Sequence, residues 1–358
     1  MKLYPGHEVE LVRGMENPFH YRHKVYATFH GSKNRSLTAG LYQEHSHNVI
    51  DSSACLIQNE TANQIIADVT AIAEDMHIHA YHEDTGSGVL RHLYVRVSHA
   101  YGTVMLVIVI GSRQLPGASV FVKRIRELHP EIETIILNYN SRRTSMVLGK
   151  TSRVLYGPGY IFDELSGFCF RISPQSFFQV NPEQTEVLYQ TALELADLTG
   201  KESVLDVCSG IGTITLLASR HARSAIGVES VRQAVEDAKD NAVLNRVSNV
   251  KFICDDIQNY VRYNRNQFDV IIADPPRSGL GVSVSKALAE CGAQRIVYIS
   301  CNPVTQAQDC DVLKKAGYSI EKIVPVDLFC FTDHVETVCL LTHTSETVTI
   351  SRPLRTGI

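Results

Sequence analysis

Ser203-Val204-Leu205-Asp206-Val207-Cys208, followed at once by Ser209-Gly210-Ile211-Gly212-Thr213, is a short apolar strand that runs into a glycine turn and opens a helix. Glycines at 210 and 212 let the backbone turn tightly and pass close to a ligand. Strand-and-helix alternation continues downstream through SAIGVES (224–230), NVKFICDD (249–256), FDVIIADPP (268–276) and RIVYISC (295–301). Two further strand-like runs, YSIEKIVPVDLF and ETVCLLTH, close the pattern. Seven strands with helices between the first five predict an open α/β sheet, parallel apart from its last strand. A helix that starts at Asn181-Pro182-Glu183 and reaches about Leu198 leads into it, with proline where its missing N–H costs nothing.

Residues before this unit have a different character. VYATFH at 25–30, a turn at Gly31-Ser32, LTAGLYQ at 37–43 and HNVIDSSACLI read as strands and turns. A helix is expected from about Ala62 to His82, since Ile65, Ile66, Val69, Ile72, Ala73 and Met76 recur on a helical period. LRHLYVRVSHAYGTVMLVIVI (90–110) predicts a hairpin turning near Ala100-Tyr101-Gly102. A short helix through 118–128, strands at TIILNYN and SMVLG, and a turn at YGPGY (156–160) follow. The expected organisation is therefore a smaller α+β domain over 1–175, framing the substrate, and a catalytic α/β domain over 176–358. Arg13, Arg22, Lys24, Lys33 and Arg35, with His20, His23 and His30 among them, make the first stretch locally basic. That suits either a solvated sheet edge or a surface that positions phosphates.

With 358 residues, 44% of them hydrophobic and 20% charged, the chain has the composition of an ordinary globular protein. A formal charge of -4 gives a nucleic-acid partner no bulk support but leaves room for a local basic patch. The nine cysteines (55, 169, 208, 254, 291, 301, 310, 330 and 339) form no CxxC, so reduced thiols of a cytoplasmic protein are expected, with no metal and no iron–sulfur cluster. No signal peptide is evident, and VMLVIVI (104–110) is far too short to span a bilayer. No membrane association and no obligate protein partner are indicated.

The glycine turn lacks the third glycine of a dinucleotide fingerprint. Instead Asp206 precedes the loop, Glu229 ends the second strand, and Asp255-Asp256 end the third. A carboxylate at the tip of the second strand can accept both ribose hydroxyls, which points to an adenosine-containing ligand. The arrangement resembles the class I S-adenosylmethionine-dependent methyltransferases. Asp274-Pro275-Pro276 at the fourth strand end is similar to the motif of amino-methyltransferases, but Arg277 stands where those enzymes place an aromatic ring. The two prolines fix the direction in which Asp274 points.

The fifth strand stops at Ser300-Cys301-Asn302-Pro303. Carbon methylation of a pyrimidine needs help that nitrogen methylation does not, because C5 of uracil is a poor nucleophile. A thiolate added at C6 makes C5 enolate-like, and a base must afterwards remove the C5 proton. Cys301, at a strand end, suits the first task, and the helix N-terminus just beyond it is expected to lower its pKa. Glu336, heading the apolar run TVCLL, suits the second with a raised pKa, and Asp333 and His334 compete with it.

ENPFHYRHKV, LRHLYVR, ISPQSFFQVNPEQTEVLY, DPPRSG, SCNP and HVE occur in that order along nearly the whole chain. Together they resemble the RNA uracil-5-methyltransferases, the family of the bacterial 23S rRNA and tRNA m5U enzymes. The resemblance implies Cys301 as the nucleophile and Glu336 as the base. It implies S-adenosyl-L-methionine as cofactor, contacted by Gln179, Asp206, Cys208, Gly210, Gly212, Thr213, Glu229, Asp256 and Asp274. Arg277, Asn302, Pro303 and His334 are then expected on the RNA side. It also implies a short member, without the TRAM domain or the four iron–sulfur cysteines that many relatives carry. Cys330 stands where proline is usual, and Cys208 where tyrosine or phenylalanine is common. The wording of YRHKV, LRHLYVR and DLFCFTDHVE favours 23S rRNA as the substrate, with tRNA as the alternative. A methyltransferase acting on other nucleic acid or protein, and a non-catalytic RNA-binding factor that keeps the fold, are the remaining alternatives.

Overall fold

A computed structural model describes residues 3–344 apart from 5, 32–35, 45, 47, 145 and 266. The first unit comprises β1 (Lys24–Gly31), β2 (Leu37–Tyr42), β3 (Val49–Asp51), α1 (Glu60–Asp75), β4 (Leu90–Val97), β5 (Val104–Ile110), α2 (Ala118–Leu128), β6 (Ile132–Tyr139) and β7 (Thr151–Tyr156). Its strands form one seven-stranded sheet in the order β3-β2-β1-β4-β5-β6-β7. Only β5 and β6 are parallel, joined by α2, while the other neighbours are antiparallel. Period-two burial explains the sheet: Val25, Ala27 and Phe29 face α1, while Lys24, Tyr26 and Thr28 face the other way.

Next come the hairpin β8 (Ile161–Leu165) and β9 (Phe168–Ile172), then α3 (Pro182–Ala196), β10 (Ser203–Val207), α4 (Thr213–Ser219), β11 (Ser224–Glu229), α5 (Arg232–Leu244), β12 (Val250–Cys254) and α6 (Ile257–Tyr263). The chain continues through β13 (Val270–Ala273), α7 (Gly281–Glu290), β14 (Arg295–Ser300), α8 (Pro303–Lys315), β15 (Tyr318–Val326) and β16 (Glu336–His343). The second sheet runs β12-β11-β10-β13-β14-β16-β15. Six strands, β15 among them, run in the same direction, and β16 inserts antiparallel between β14 and β15, as expected of the last strand. An antiparallel insertion brings the start of β16 beside the end of β14, with Ser300 paired to Thr337. Cys301 and Glu336, 35 positions apart in sequence, therefore meet at the same edge.

The units share a core. Tyr94, Met105, Val107 and Val109 of the first sheet pack in one cluster with Phe170, Phe178, Leu188 and Ile214. Hairpin β8–β9 lies against α5, where Asn245 Oδ1 accepts from Cys169 N–H (2.8 Å) and Asn241 Oδ1 from Arg171 N–H (2.8 Å). The segment around residues 4–13 also crosses to the second sheet. Glu10 and Arg13 N–H donate to Ile323 and Pro325 carbonyls along β15 (both 2.9 Å).

Two expectations need correction. The helix expected over 62–82 stops at Asp75, because His77 adopts a left-handed φ of 56° and Ile78 N–H returns to Ala73 O at 2.9 Å. The strand expected at SMVLG lies instead over Thr151–Tyr156. Asparagine side chains occupy the backbone of the earlier stretch: Asn140 Nδ2 donates to Met146 and Val147 carbonyls, and Asn138 Oδ1 accepts from Gly149 N–H at 2.7 Å. Of the expected Gly31-Ser32 turn and basic stretch, Ser32, Lys33 and Arg35 fall outside the described residues. VMLVIVI is β5, a fully buried strand, and no helix among the described residues is long and apolar enough to cross a membrane.

Candidate active site

The carboxyl ends of β10, β11, β13 and β14 open onto a cavity of about 490 Å³. Ligand sites of open α/β sheets lie at this edge, and the volume suits a molecule of nucleoside size. Gln179, Cys208, Gly210, Thr213, Glu229, Asp274, Arg277, Cys301 and Glu336 all line it. A contiguous cavity of about 210 Å³ shares Cys208, Glu229, Pro275 and Pro276 and is closed by Asp255, Asp256, Ile257 and Leu280.

The β10–α4 loop is built for close approach. Gly210 and Gly212 hold φ of +54° and +87°, and a Cβ at 212 would meet the Phe252 ring at 2.7 Å. Cys208 also takes a positive φ, 64°, a costly conformation for a residue with a side chain. Glu229 Oε2 accepts from Gly210 N–H (3.1 Å) and its Oε1 from Val231 N–H (2.9 Å), which fixes the carboxylate at the junction of the two cavities. Each oxygen retains acceptor capacity.

Of the expected cofactor residues, Asp206 and Gly212 stand behind the wall of both cavities, and Asp256 reaches only the smaller one. Asp206 is fully buried; its Oδ2 accepts from Thr215 Oγ1 at 2.6 Å and holds α4 on the sheet, while Oδ1 has no partner. Burial pushes its carboxyl up to about 7. Gly212 caps α4 and packs against Phe252. Asp256 caps α6, where Oδ1 accepts from Gln258 and Asn259 N–H, and it borders only the smaller cavity.

Among the residues expected on the RNA side, Arg277 reaches the cavity and the other three border it from outside. Asn302 caps α8 and donates Nδ2 to Arg277 O at 3.2 Å, which ties the DPPR loop to the end of β14. Pro303 occupies the first turn of α8, and its carbonyl accepts from Tyr4 Oη at 3.3 Å. His334, beside Asp333 at 3.6 Å, packs edge-on against Phe329.

Acid groups dominate the floor. Glu336 is 2% exposed and its Oε2 has no partner, so its carboxyl is pushed up to about 8, first by burial and then by Asp274. Asp274 rises for the same first reason, relieved in part by a hydrogen bond from Tyr189. The two titrate as a pair. The expected lowering of the Cys301 pKa is not found. Burial, then the charges of Glu336 and Asp274, raise it, and these outweigh its own backbone hydrogen bond and Arg277. At rest the site holds a thiol near two buried carboxyls whose pKa values are raised.

Tyr189 was not singled out in the sequence. From α3 its buried hydroxyl stands by Gln179 and Asp274 in the same cavity, close enough to influence the titration of the carboxyl. Phe177, Phe178 and Phe329 supply the apolar walls. FFQVN and the helix after it carried the signal, since a tyrosine two turns into an amphipathic helix faces the same sheet edge as the helix start.

Residues 149–344 match the family model described as tRNA (uracil-5-)-methyltransferase. An RNA methyltransferase of Caldanaerobacter subterraneus, itself uncharacterized, is 42% identical over 343 residues, which are 95% of this chain and 75% of that protein. One from Clostridium tetani is 43% identical over 339 residues, 94% of this chain and 74% of its own length. Among solved structures, the tRNA (uracil-54, C5)-methyltransferase of Pyrococcus abyssi, in complex with S-adenosyl-L-homocysteine, superposes with a TM-score of 0.78 at 28% identity. That likeness covers 94% of this chain and 79% of the other.

Proposed function

Because this chain belongs to the tRNA (uracil-5-)-methyltransferase family and is an RNA (uracil-C5-)-methyltransferase, we propose that its cavity binds S-adenosyl-L-methionine and methylates C5 of a uridine through a Cys301–C6 adduct. The observation that carries the covalent scheme is the pairing of Cys301 with a buried, partnerless Glu336 carboxyl in one cavity. When bound, the cofactor supplies an electrophilic methyl group. The donor set suits it: Glu229 lies where the two cavities join, for ribose hydroxyls, and Ile257 and Leu280 offer the smaller cavity's apolar walls to an adenine. Gln179, the Cys208 loop and Asp274 complete that set, with Thr213 beside them.

Cys301 gives its proton to a neighbouring carboxylate as its sulfur bonds to C6, which places the electron pair at C5. After methylation, Glu336 takes the C5 proton, and the electrons of that C–H bond expel the thiolate and restore the ring. Gln179 and Tyr189 orient Asp274 toward the reacting groups. Arg277, held through Asn302, steadies the RNA at the rim.

Residues 1–175 frame the RNA and residues 176–358 carry the chemistry, in the cytoplasm. The matched family and the Pyrococcus abyssi enzyme both act on tRNA by name, which favours tRNA as the substrate. A second reading, 23S rRNA, draws on YRHKV, LRHLYVR and DLFCFTDHVE. Cys301→Ala should bind RNA and transfer no methyl group to C5, and retained turnover would refute the covalent scheme. Mapping m5U in tRNA and rRNA from cells lacking the protein decides between the two substrates.

A further inference from the structure

Phe19 and Phe331 form a ring pair that the site described above does not use. Their centroids are 5.3 Å apart with planes tilted by 38°, yet they remain 44% and 67% exposed. They arrive from distant parts of the chain, one just before β1 and one in the β15–β16 loop.

Both are held at the rim of the catalytic cavity. Phe329, two residues before Phe331, lines that cavity. Between them, the Cys330 carbonyl accepts from buried Tyr21 Oη at 2.8 Å, which fastens the β15–β16 loop to the strand entrance that follows Phe19. From the same entrance His23 N–H donates to Val180 O (2.8 Å), next to cavity-lining Gln179.

The backbone under each ring is constrained. Phe331 holds a left-handed φ of 63°, and His20, next to Phe19, one of 54°. Such conformations persist only where their surroundings over-determine them. Around Phe331, Thr332 N–H and Oγ1 both donate to Phe329 O (3.1 and 2.7 Å). Around His20, N–H donates to Leu56 O (2.8 Å) and Nδ1 meets Gln58 O at 2.9 Å. Strained backbone that presents two apolar rings to water does not serve the core.

The neighbouring charges include cations, beside Asp333 two residues after Phe331 and Glu60 at 3.7 Å from His20. Arg22 and Lys24 follow Phe19, and the Lys24 ammonium lies 5.3 Å from the ring of Phe177 at the cavity wall. Exposed rings beside cations are the combination that holds unpaired nucleotides, base on ring and phosphate on cation. We propose that Phe19 and Phe331 form a stacking platform for a nucleobase flanking the target uridine, which holds the strand open while the uridine occupies the cavity. This rests on RNA as the substrate.

The test uses the full chain and a uridine-centred single-stranded RNA with 2-aminopurine on either side of the uridine. Wild-type protein should quench the fluorescence of one of the two probes on binding. Phe331→Ala and Phe19→Ala should abolish that quench and weaken binding by about 5- to 150-fold. In turnover they should raise KM for RNA with kcat unchanged. Phe331→Trp should keep both signals. Phe331→Gly removes the ring while suiting the backbone, so it keeps the protein folded and should lose the quench like alanine. Unchanged affinity and quench in the alanine and glycine variants would overturn the platform. A wild type that methylates no RNA would instead refute the proposed function, and the quench, read without turnover, decides the platform either way.

Discussion

Glu336→Gln should convert the enzyme into one that begins the reaction and cannot finish it. Glutamine keeps the shape of the side chain and removes its capacity to accept the C5 proton. One equivalent of methyl should transfer, the protein–RNA adduct should persist in a denaturing gel, and turnover should fall by about 10²- to 10⁴-fold, the usual contribution of a positioned base. With its carboxyl pushed up to about 8, Glu336 is largely protonated at pH 7. Wild-type turnover should therefore climb with pH up to about 8, and that limb should vanish in the variant. Stability should move the other way. Between the ordinary 4.5 and about 8 the folded protein retains a proton that the unfolded chain has released. Stability contributed by the group is thus full below pH 4.5 and is lost progressively as pH rises through that window. Glutamine removes that dependence, so thermal unfolding at pH 5 and pH 8 should show the wild type losing ground to the variant as pH rises. Full turnover by Glu336→Gln, or a gel without adduct after one equivalent of methyl has transferred, would refute Glu336 as the base and turn attention to Asp333 or His334.

Tyr189→Phe removes the hydroxyl between Gln179 and Asp274 and leaves the carboxylate without that donor. Steady-state kinetics should show kcat reduced by about 5- to 150-fold, as for an unsatisfied buried group, and an unchanged kcat would deny Tyr189 its positioning role. Lys24 is held down to about 7, first by burial and then by Arg96 and Arg22. Because lysine is charged only below its pKa, RNA affinity should weaken as pH rises through 7, and Lys24→Arg should flatten that dependence in a binding titration.

The catalytic sheet was legible because its information is local. Its strands are short and mostly apolar, and the carboxyl ends of β10, β11, β13 and β14 are marked by Cys208, Glu229, Asp274 and Cys301. Cys301, Glu229 and Asp274 were singled out for that reason, and Glu336 because it heads the apolar run of β16. The state of the Cys301 thiol was not, since it depends on Glu336, which the inserted β16 brings near, together with Asp274 at the end of the neighbouring β13. Asp206 has the residue type of a ligand, but its place behind the loop follows from Thr215 one turn into α4. Hairpin β8–β9 carried an unused Ser166-Gly167 turn signal, with φ of 48° and 73°. The path of residues 4–13 left no periodic trace, because a few isolated backbone bonds and one tyrosine under α8 hold it.

That path has a consequence for how the chain is made. Arg13 bridges Val326, and its carbonyl accepts from Asp327 N–H at 3.0 Å. During synthesis its docking groove does not exist until more than three hundred further residues, counted from Arg13 to Val326, have left the ribosome. Until then a nascent chain carries residues 4–13 unattached, and β15 emerges with one side open to pairing with another molecule. Docking of the segment around Arg13 therefore has to wait for β15, and it covers the open edge of the sheet that holds the chemistry.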